Sequence, residues 1–175
     1  MTERLLHPLV QASLERYSVE ADVLECLPEL ADTAAFCEHY GIPLEQAANT
    51  IVVASRKVEP PVYAACVVLG TTRLDVNTKV RQLLGVKRLS FADAHTTREL
   101  TDMLIGGVTV FGIETMPVYV DAAVLSASRV VMGGGNRSSK LHLDPHELLK
   151  LPHAEVVDGL ALPRDPDHTA ETPSP

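Results

Sequence analysis

Three glycines, Gly106, Gly107 and Gly112, bracket the segment Val108-Thr109-Val110-Phe111. Without a Cβ at these positions the chain can turn tightly, and its backbone N–H groups can line a ligand instead of a side chain. The segment is therefore a candidate site wall. Its plainer role would be a connection that needs left-handed backbone at two corners. A second glycine stretch, Gly133-Gly134-Gly135-Asn136-Arg137, follows later. The rest of the chain must decide between the two roles.

Several other chemistries find no motif. The chain has no dinucleotide-binding G-x-G-x-x-G, no phosphate-cradling Walker loop, no G-x-S-x-G nucleophile elbow and no H-E-x-x-H metal helix. Cys26, Cys37 and Cys66 are odd in number and far apart, which argues against both a disulfide framework and a zinc site. They are expected to be reduced and buried. The seven histidines are scattered, and His142 with His146 reads as a strand residue followed by a helix-start residue. Neither metal nor cofactor is expected.

The elements that must carry the glycine segment follow from periodicity and breakers. Leu6, Leu9, Val10, Leu14 and Tyr17 recur at helical spacing, with Pro8 tolerable in the first turn. A short strand is expected over Val19–Leu27. Asp32-Thr33 would cap a helix that stops at Gly41, and a helical turn is expected at Leu44–Ala48. Thr50–Ala54 and Val62–Leu69 are β-rich and continuously apolar, so they are expected to be neighbouring antiparallel strands covered on both faces. Asp75 would cap a helix over Val76–Leu84, stopped by Gly85. A strand at Val86–Leu89 and a helix over Ser90–Met103 then deliver the chain into the glycine segment. Beyond it, short strands are expected at Val118–Val120, Arg129–Met132 and Lys140–Leu143, and a short helix after Asp144-Pro145. This irregular interleaving predicts an α/β fold with a mixed, largely antiparallel central sheet surrounded by helices. Residues 1–162 would form one domain, and the proline-rich, apolar-poor stretch 163–175 a disordered tail.

Composition sets the outer bounds. The chain has 175 residues, 46% of them apolar and only 4% aromatic, enough for one core built from Val, Leu, Ile and Ala. Apolar runs fall far short of a membrane span, and the N-terminus lacks a basic segment followed by an apolar signal core. A soluble, cytoplasmic protein is expected, without a membrane partner. The net charge of −8 argues against extensive contact with nucleic-acid phosphates, and no DNA partner is expected. The charge is unevenly spread, however. Residues 1–40 hold 2 basic and 8 acidic groups, residues 151–175 hold 1 and 5, and the middle 41–150 holds 12 and 10. That mildly positive middle could hold one end of a nucleic acid.

Taken in order, the features resemble the YbaK/ProX family. They are the Asp32-Thr33-Ala34-Ala35 helix ending in Gly41, the segment Glu45-Gln46-Ala47-Ala48-Asn49-Thr50-Ile51-Val52-Val53, the Asp75–Gly85 helix, Gly106 to Gly112, Val118-Tyr119-Val120-Asp121, and Gly134-Gly135-Asn136-Arg137. The similarity spans roughly residues 7–150. Members of that family are free-standing or synthetase-appended domains that hydrolyse mischarged aminoacyl-tRNA.

The resemblance implies a pocket between the sheet and the glycine loop, where backbone amides hold the aminoacyl group and its ester to the terminal ribose. Ester hydrolysis develops negative charge on the carbonyl oxygen, which fixed N–H donors stabilise. It assigns the catalytic position to Asn49, and substrate contacts to Thr50, Gly106, Gly107, Thr109, Gly112, Gly134 and Gly135. Three departures stand in that pocket. Asn49 occupies a position that is ordinarily lysine, Val110 one that is ordinarily proline, and Gly133 one that is commonly Ser or Ala. Asn49 can donate and accept hydrogen bonds but supplies no cation. The implied function is trans hydrolysis of mischarged aminoacyl-tRNA, with the 3′ end of the tRNA and an aminoacyl-tRNA synthetase as partners. The alternative is a non-catalytic member that binds an aminoacylated end, a related small molecule or a synthetase.

Overall fold

A computed structural model describes residues 5–164. Helix α1 (Pro8–Arg16) opens the fold, with Pro8 in its first turn and the His7 Nδ1 accepting from the Leu9 N–H at 3.1 Å. Strand β1 (Asp22–Glu25) is shorter than the expected Val19–Leu27. Helix α2 (Thr33–Tyr40) begins after Asp32 and ends where Gly41 takes a left-handed φ of 71°. A turn of 3₁₀ helix at Leu44–Gln46 leads into β2 (Ala48–Ser55), β3 (Tyr63–Leu69) and β4 (Thr72–Leu74).

The helix expected over Val76–Leu84 starts as a wide π turn, Val76–Val80, capped by Asp75 on the Thr78 N–H. It continues as α3 (Arg81–Leu84), which Gly85 stops in left-handed conformation. The next two expectations shift. The strand is β5 (Leu89–Phe91), not Val86–Leu89, and the helix is only α4 (Ala94–Thr101). Pairing with β2, Val53 opposite Phe91 and Ser55 opposite Leu89, holds Ser90 and Phe91 extended. The Asp93 carboxylate then caps α4 on the Thr96 N–H at 2.7 Å. After the glycine loop come β6 (Val118–Asp121), β7 (Val130–Gly133), β8 (Ser139–Leu143), β9 (Ala154–Val157) and β10 (Ala161–Pro163).

Five strands form the central sheet in the order β5-β2-β3-β6-β9. As expected, β2 and β3 are antiparallel neighbours, with Ile51 opposite Cys66. β6 and β9 join in parallel, so the central sheet is mixed. Antiparallel pairing holds in a three-stranded sheet β1-β8-β7 and in the ribbon β10-β4. The fold is thus a mixed, mostly antiparallel α/β architecture.

Alternation along the central strands explains their continuous apolar character. On β3, Ala65 and Val67 enter one core with Val10, Phe111 and Leu141, whereas Ala64, Cys66 and Val68 enter a second with Leu74, Val80 and Leu160. Tyr119 on β6 faces the second core, between Val118 and Val120 facing the first. A strand buried on both faces needs apolar residues at every position. Among the described residues no helix is long and apolar enough to cross a membrane. The tail expected over 163–175 falls mostly outside the described residues; within them, Pro163 pairs with Thr72 in the β10-β4 ribbon.

Candidate functional site

A cavity of about 280 Å³ lies where β2 begins, bounded by the start of α2, the entry to the glycine loop, the β7-β8 hairpin and the β4 ribbon. Asn49 and Thr50 line it from β2 and Gly106 from the glycine loop, so three of the residues singled out in the sequence meet at one cavity. Asn49 Oδ1 accepts a short hydrogen bond from the Thr33 hydroxyl at the start of α2. With its oxygen so engaged, the asparagine has its amide N–H groups to offer a carbonyl or a water. The Thr50 hydroxyl is enclosed and has no hydrogen-bond partner among the described residues.

Gly107, Thr109, Gly112, Gly134 and Gly135 lie behind this lining, against other parts of the protein. The Gly107 N–H donates to the Leu104 carbonyl at 2.8 Å, and its own carbonyl accepts from the Gly135 N–H at 2.6 Å. A Cβ on Gly107 would collide with the Asn136 backbone, and one on Gly133 with the Gly107 carbonyl. Gly134 faces the Ser139 side chain and Leu6, Gly135 faces His7 and Val10, and a Cβ on Gly112 would lie 3.1 Å from the Leu9 carbonyl oxygen. Thr109 is fully buried and its hydroxyl has no partner among the described residues. The two glycine stretches and α1 are thus pressed backbone to backbone, which fixes Gly106 at the edge of the cavity.

The cavity also contains a cation that sequence reasoning missed. Lys140, on β8, is only 4% exposed. Its ammonium donates to the Ala31 carbonyl at 2.5 Å and the Gly106 carbonyl at 2.7 Å, and lies 5.5 Å from the centre of the Phe36 ring. One side chain therefore ties the approach to α2 to the glycine loop. Burial pulls the Lys140 ammonium below the usual lysine range, with the Cys26 thiol and the Asp32 carboxylate acting against that shift. Arg137 braces the same corner, donating from Nε to the Pro28 carbonyl at 3.0 Å and from one terminal nitrogen to the Ile105 carbonyl at 2.7 Å and to Asp32 at 3.1 Å.

Arg73 and Arg164 complete the charged lining. Three cations, Arg73, Lys140 and Arg164, thus face one carboxylate, Asp32, in a chain whose net charge is −8. The local field favours an anionic or carbonyl-bearing ligand. Apolar side chains, among them Phe36, Ile51, Val68 and Met132, make up much of the remaining wall. Such an arrangement, apolar with a few convergent polar groups, suits a small organic group held in a fixed orientation.

No signal in the sequence marked Lys140. In Ser139-Lys140-Leu141-His142-Leu143 the alternation reads as a polar face carrying Lys140 and His142, and the carbonyls that hold the ammonium are 109 and 34 residues away. Thr33 was legible only as part of a helix start, Arg73 carried no sequence signal, and Arg164 lay in the stretch 163–175 expected to be a disordered tail, whereas its Nε donates to the Gly70 carbonyl and it lines the cavity.

The aminoacyl-tRNA editing domain family matches residues 28–151. The structure of a candidate trans-editing enzyme for prolyl tRNA synthetase is similar at 29% identity and a TM-score of 0.73, covering 87% of this chain and 97% of that one. A scaffold used for computational epitope grafting is similar at 28% identity and a TM-score of 0.73, covering 86% and 94%. The hypothetical protein APE2540 shares the fold at 23% identity and a TM-score of 0.77, covering 88% and 99%.

Proposed function

The chain belongs to the aminoacyl-tRNA editing domain family, and from that premise we propose that it hydrolyses, in trans, the ester that joins a wrong amino acid to the 3′ end of a tRNA. The observation that carries this reading is the convergence of Asn49, Thr50, Gly106 and the buried Lys140 on one cavity. In the reaction a water oxygen bonds to the ester carbonyl carbon, negative charge gathers on the carbonyl oxygen, and the ribose oxygen leaves with a proton. The Asn49 amide donates to the carbonyl or holds the water. The positive potential of Lys140 stabilises the charge that gathers. Lys140 thereby answers the missing lysine at position 49: the site keeps a cation, delivered from β8 instead of β2.

The similar trans-editing structure makes a tRNA mischarged by prolyl-tRNA synthetase the first substrate to try, and that synthetase a partner to test. Such work belongs in the cytoplasm, where aminoacyl-tRNA is used. The test is release of amino acid from a panel of mischarged tRNAs by the wild-type protein and by Asn49→Ala. Release that the substitution lowers about 10²–10³-fold, the usual loss of one such donor, supports the reading; no release from any member of the panel overturns it. One observation favours a second reading. Asn49 in place of a cation suits a non-catalytic protein that binds the aminoacylated end, and binding without release would select it.

A further inference from the structure

We propose that the mouth of the cavity is a nucleotide subsite, in which Arg73 and Arg164 clasp the phosphate of the terminal nucleotide and Phe91 stacks on its base. The inference rests on the deacylase reading and adds to it the part of the substrate that lies outside the reacting ester.

The register of the β10-β4 ribbon places the two arginines. Arg73 pairs with Leu162, and Thr72 with Pro163. Side chains alternate along a strand, so Arg164, two residues beyond Leu162, shares the face that carries Leu162 and Arg73. Diagonal neighbours on one face lie roughly 7–8 Å apart, and both arginines line the cavity. Arg164 is also oriented: its Nε donates to the Gly70 carbonyl at 3.1 Å. That bond sets the plane of the guanidinium and leaves its terminal nitrogens as the donors an anion would meet. Two like charges on one short ribbon repel, and a phosphate between them relieves the repulsion. Guanidinium is the side chain best matched to phosphate, because its planar fork donates to two oxygens together.

Phe91 supplies an independent pointer. The chain has three phenylalanines. Phe36 and Phe111 are 2% and 0% exposed, whereas Phe91 is 44% exposed on the edge strand β5 and still lines the cavity. An aromatic face left open in the lining of a cavity that also carries two arginines is what single-stranded nucleic-acid sites use, since every base can stack on it. Arg164 and β10 lie beyond residues 28–151, so one of the two arginines comes from outside the family match and the other, Arg73 on β4, from within it.

The experiment is titration calorimetry with three stable probes: 3′-deoxy-3′-aminoacylamidoadenosine carrying a 5′-phosphate, the same compound without the phosphate, and adenosine 5′-monophosphate. In the wild type the 5′-phosphate should tighten the aminoacyl compound about ten- to hundredfold, the usual worth of charge-assisted hydrogen bonds. Arg73→Gln/Arg164→Gln should abolish that difference while leaving the unphosphorylated compound bound. Phe91→Ala should weaken both aminoacyl compounds about five- to hundredfold, as loss of a stacking platform does. Equal affinity for the two aminoacyl compounds in the wild type overturns the subsite, whatever the variants do. Adenosine 5′-monophosphate binding as tightly as the phosphorylated aminoacyl compound overturns it too, because the mouth would then serve a free nucleotide. Should neither aminoacyl compound bind, the deacylase reading falls and this inference with it; deacylation that proceeds without a phosphate preference removes the inference alone.

Discussion

Thr33, the first residue of α2, donates its hydroxyl to Asn49 Oδ1 on β2, so the two walls of the cavity are joined by a side-chain bond between residues sixteen apart. A hydroxyl can give or receive. It gives here, which leaves the asparagine amide as the donor of the pair.

That reversibility predicts the outcome of restoring a lysine. In Asn49→Lys the Thr33 hydroxyl can accept from the new ammonium, so the pair survives with a charge added where the transition state becomes negative. Release of amino acid from mischarged tRNA should rise about 10²–10³-fold, the worth of such an electrostatic contact. A wild-type activity that falls in the variant would show that the asparagine amide has a chemistry a cation cannot replace.

Lys140→Met should destabilise the fold and change its response to pH. The Ala31 and Gly106 carbonyls lose their common donor, at about 1–3 kcal/mol for each buried group left unpaired, and removal of a buried charge offsets part of that. The sign of the pH effect follows from the lowered proton affinity. Between the depressed folded value and the ordinary lysine value of roughly 10.4, the unfolded chain binds more protons than the folded one, so this group makes stability rise with pH. Guanidinium unfolding at a series of alkaline pH values should show that rise in the difference between wild type and Lys140→Met. A flat difference would mean that the ammonium is not held in a desolvated place.

The three cysteines should be silent in the native state. All are free and buried, burial raises the pKa of each, and that of Cys66 is pushed up to about 12. Since the thiolate is the reactive form, a thiol-specific chromogenic disulfide should label none of them rapidly at pH 8, and all three once guanidinium is added. The sign for stability is opposite to that of Lys140. From the ordinary cysteine value of roughly 8.5 up to about 12, folded Cys66 retains a proton that the unfolded thiol loses, and stability falls as pH rises. Fast labelling of Cys66 in the native protein would contradict its placement in the core.

Two glycine substitutions should separate space from backbone conformation. Gly85 has a φ of 64° and nothing near its missing Cβ, so Gly85→Ala should cost about 1–2 kcal/mol, the strain of a left-handed residue. Gly107→Ala would drive a methyl group into the Asn136 backbone and should cost upwards of about 3 kcal/mol, as forced overpacking does. Thermal denaturation of both variants decides. A Gly107→Ala protein as stable as Gly85→Ala would mean that the two glycine loops are not in contact.

The parts of the fold that depend on nearby residues were legible in the sequence. Gly41 and Gly85 end their helices as their positions suggested, Asp75 and Asp144 cap as expected, and the apolar runs became β2 and β3. The boundary between β5 and α4 was misread because Ser90 and Phe91 are held by β2, thirty-five or more residues earlier in the chain. The site divided in the same way. Asn49, Thr50 and Gly106 were identified through a motif, whereas Lys140, Arg73 and Arg164 owe their place at the cavity to partners remote in sequence. A lysine on a strand reads as surface until the carbonyls that hold it are known.

The contacts that close the cavity also set an order of events in folding. Gly106 is held by Lys140, Ile105 by Arg137, Gly134 by His7, and Gly70 receives Arg164. Each of these ties joins residues 32 or more positions apart, the kind of contact that loop-closure entropy delays. The sheet strands β2 and β3 can pair as soon as both have left the ribosome, but the mouth is finished only when residue 164 has followed. During its own synthesis the protein therefore has no finished pocket until residue 164 has been added, although it is surrounded by the aminoacyl-tRNAs on which we propose it acts.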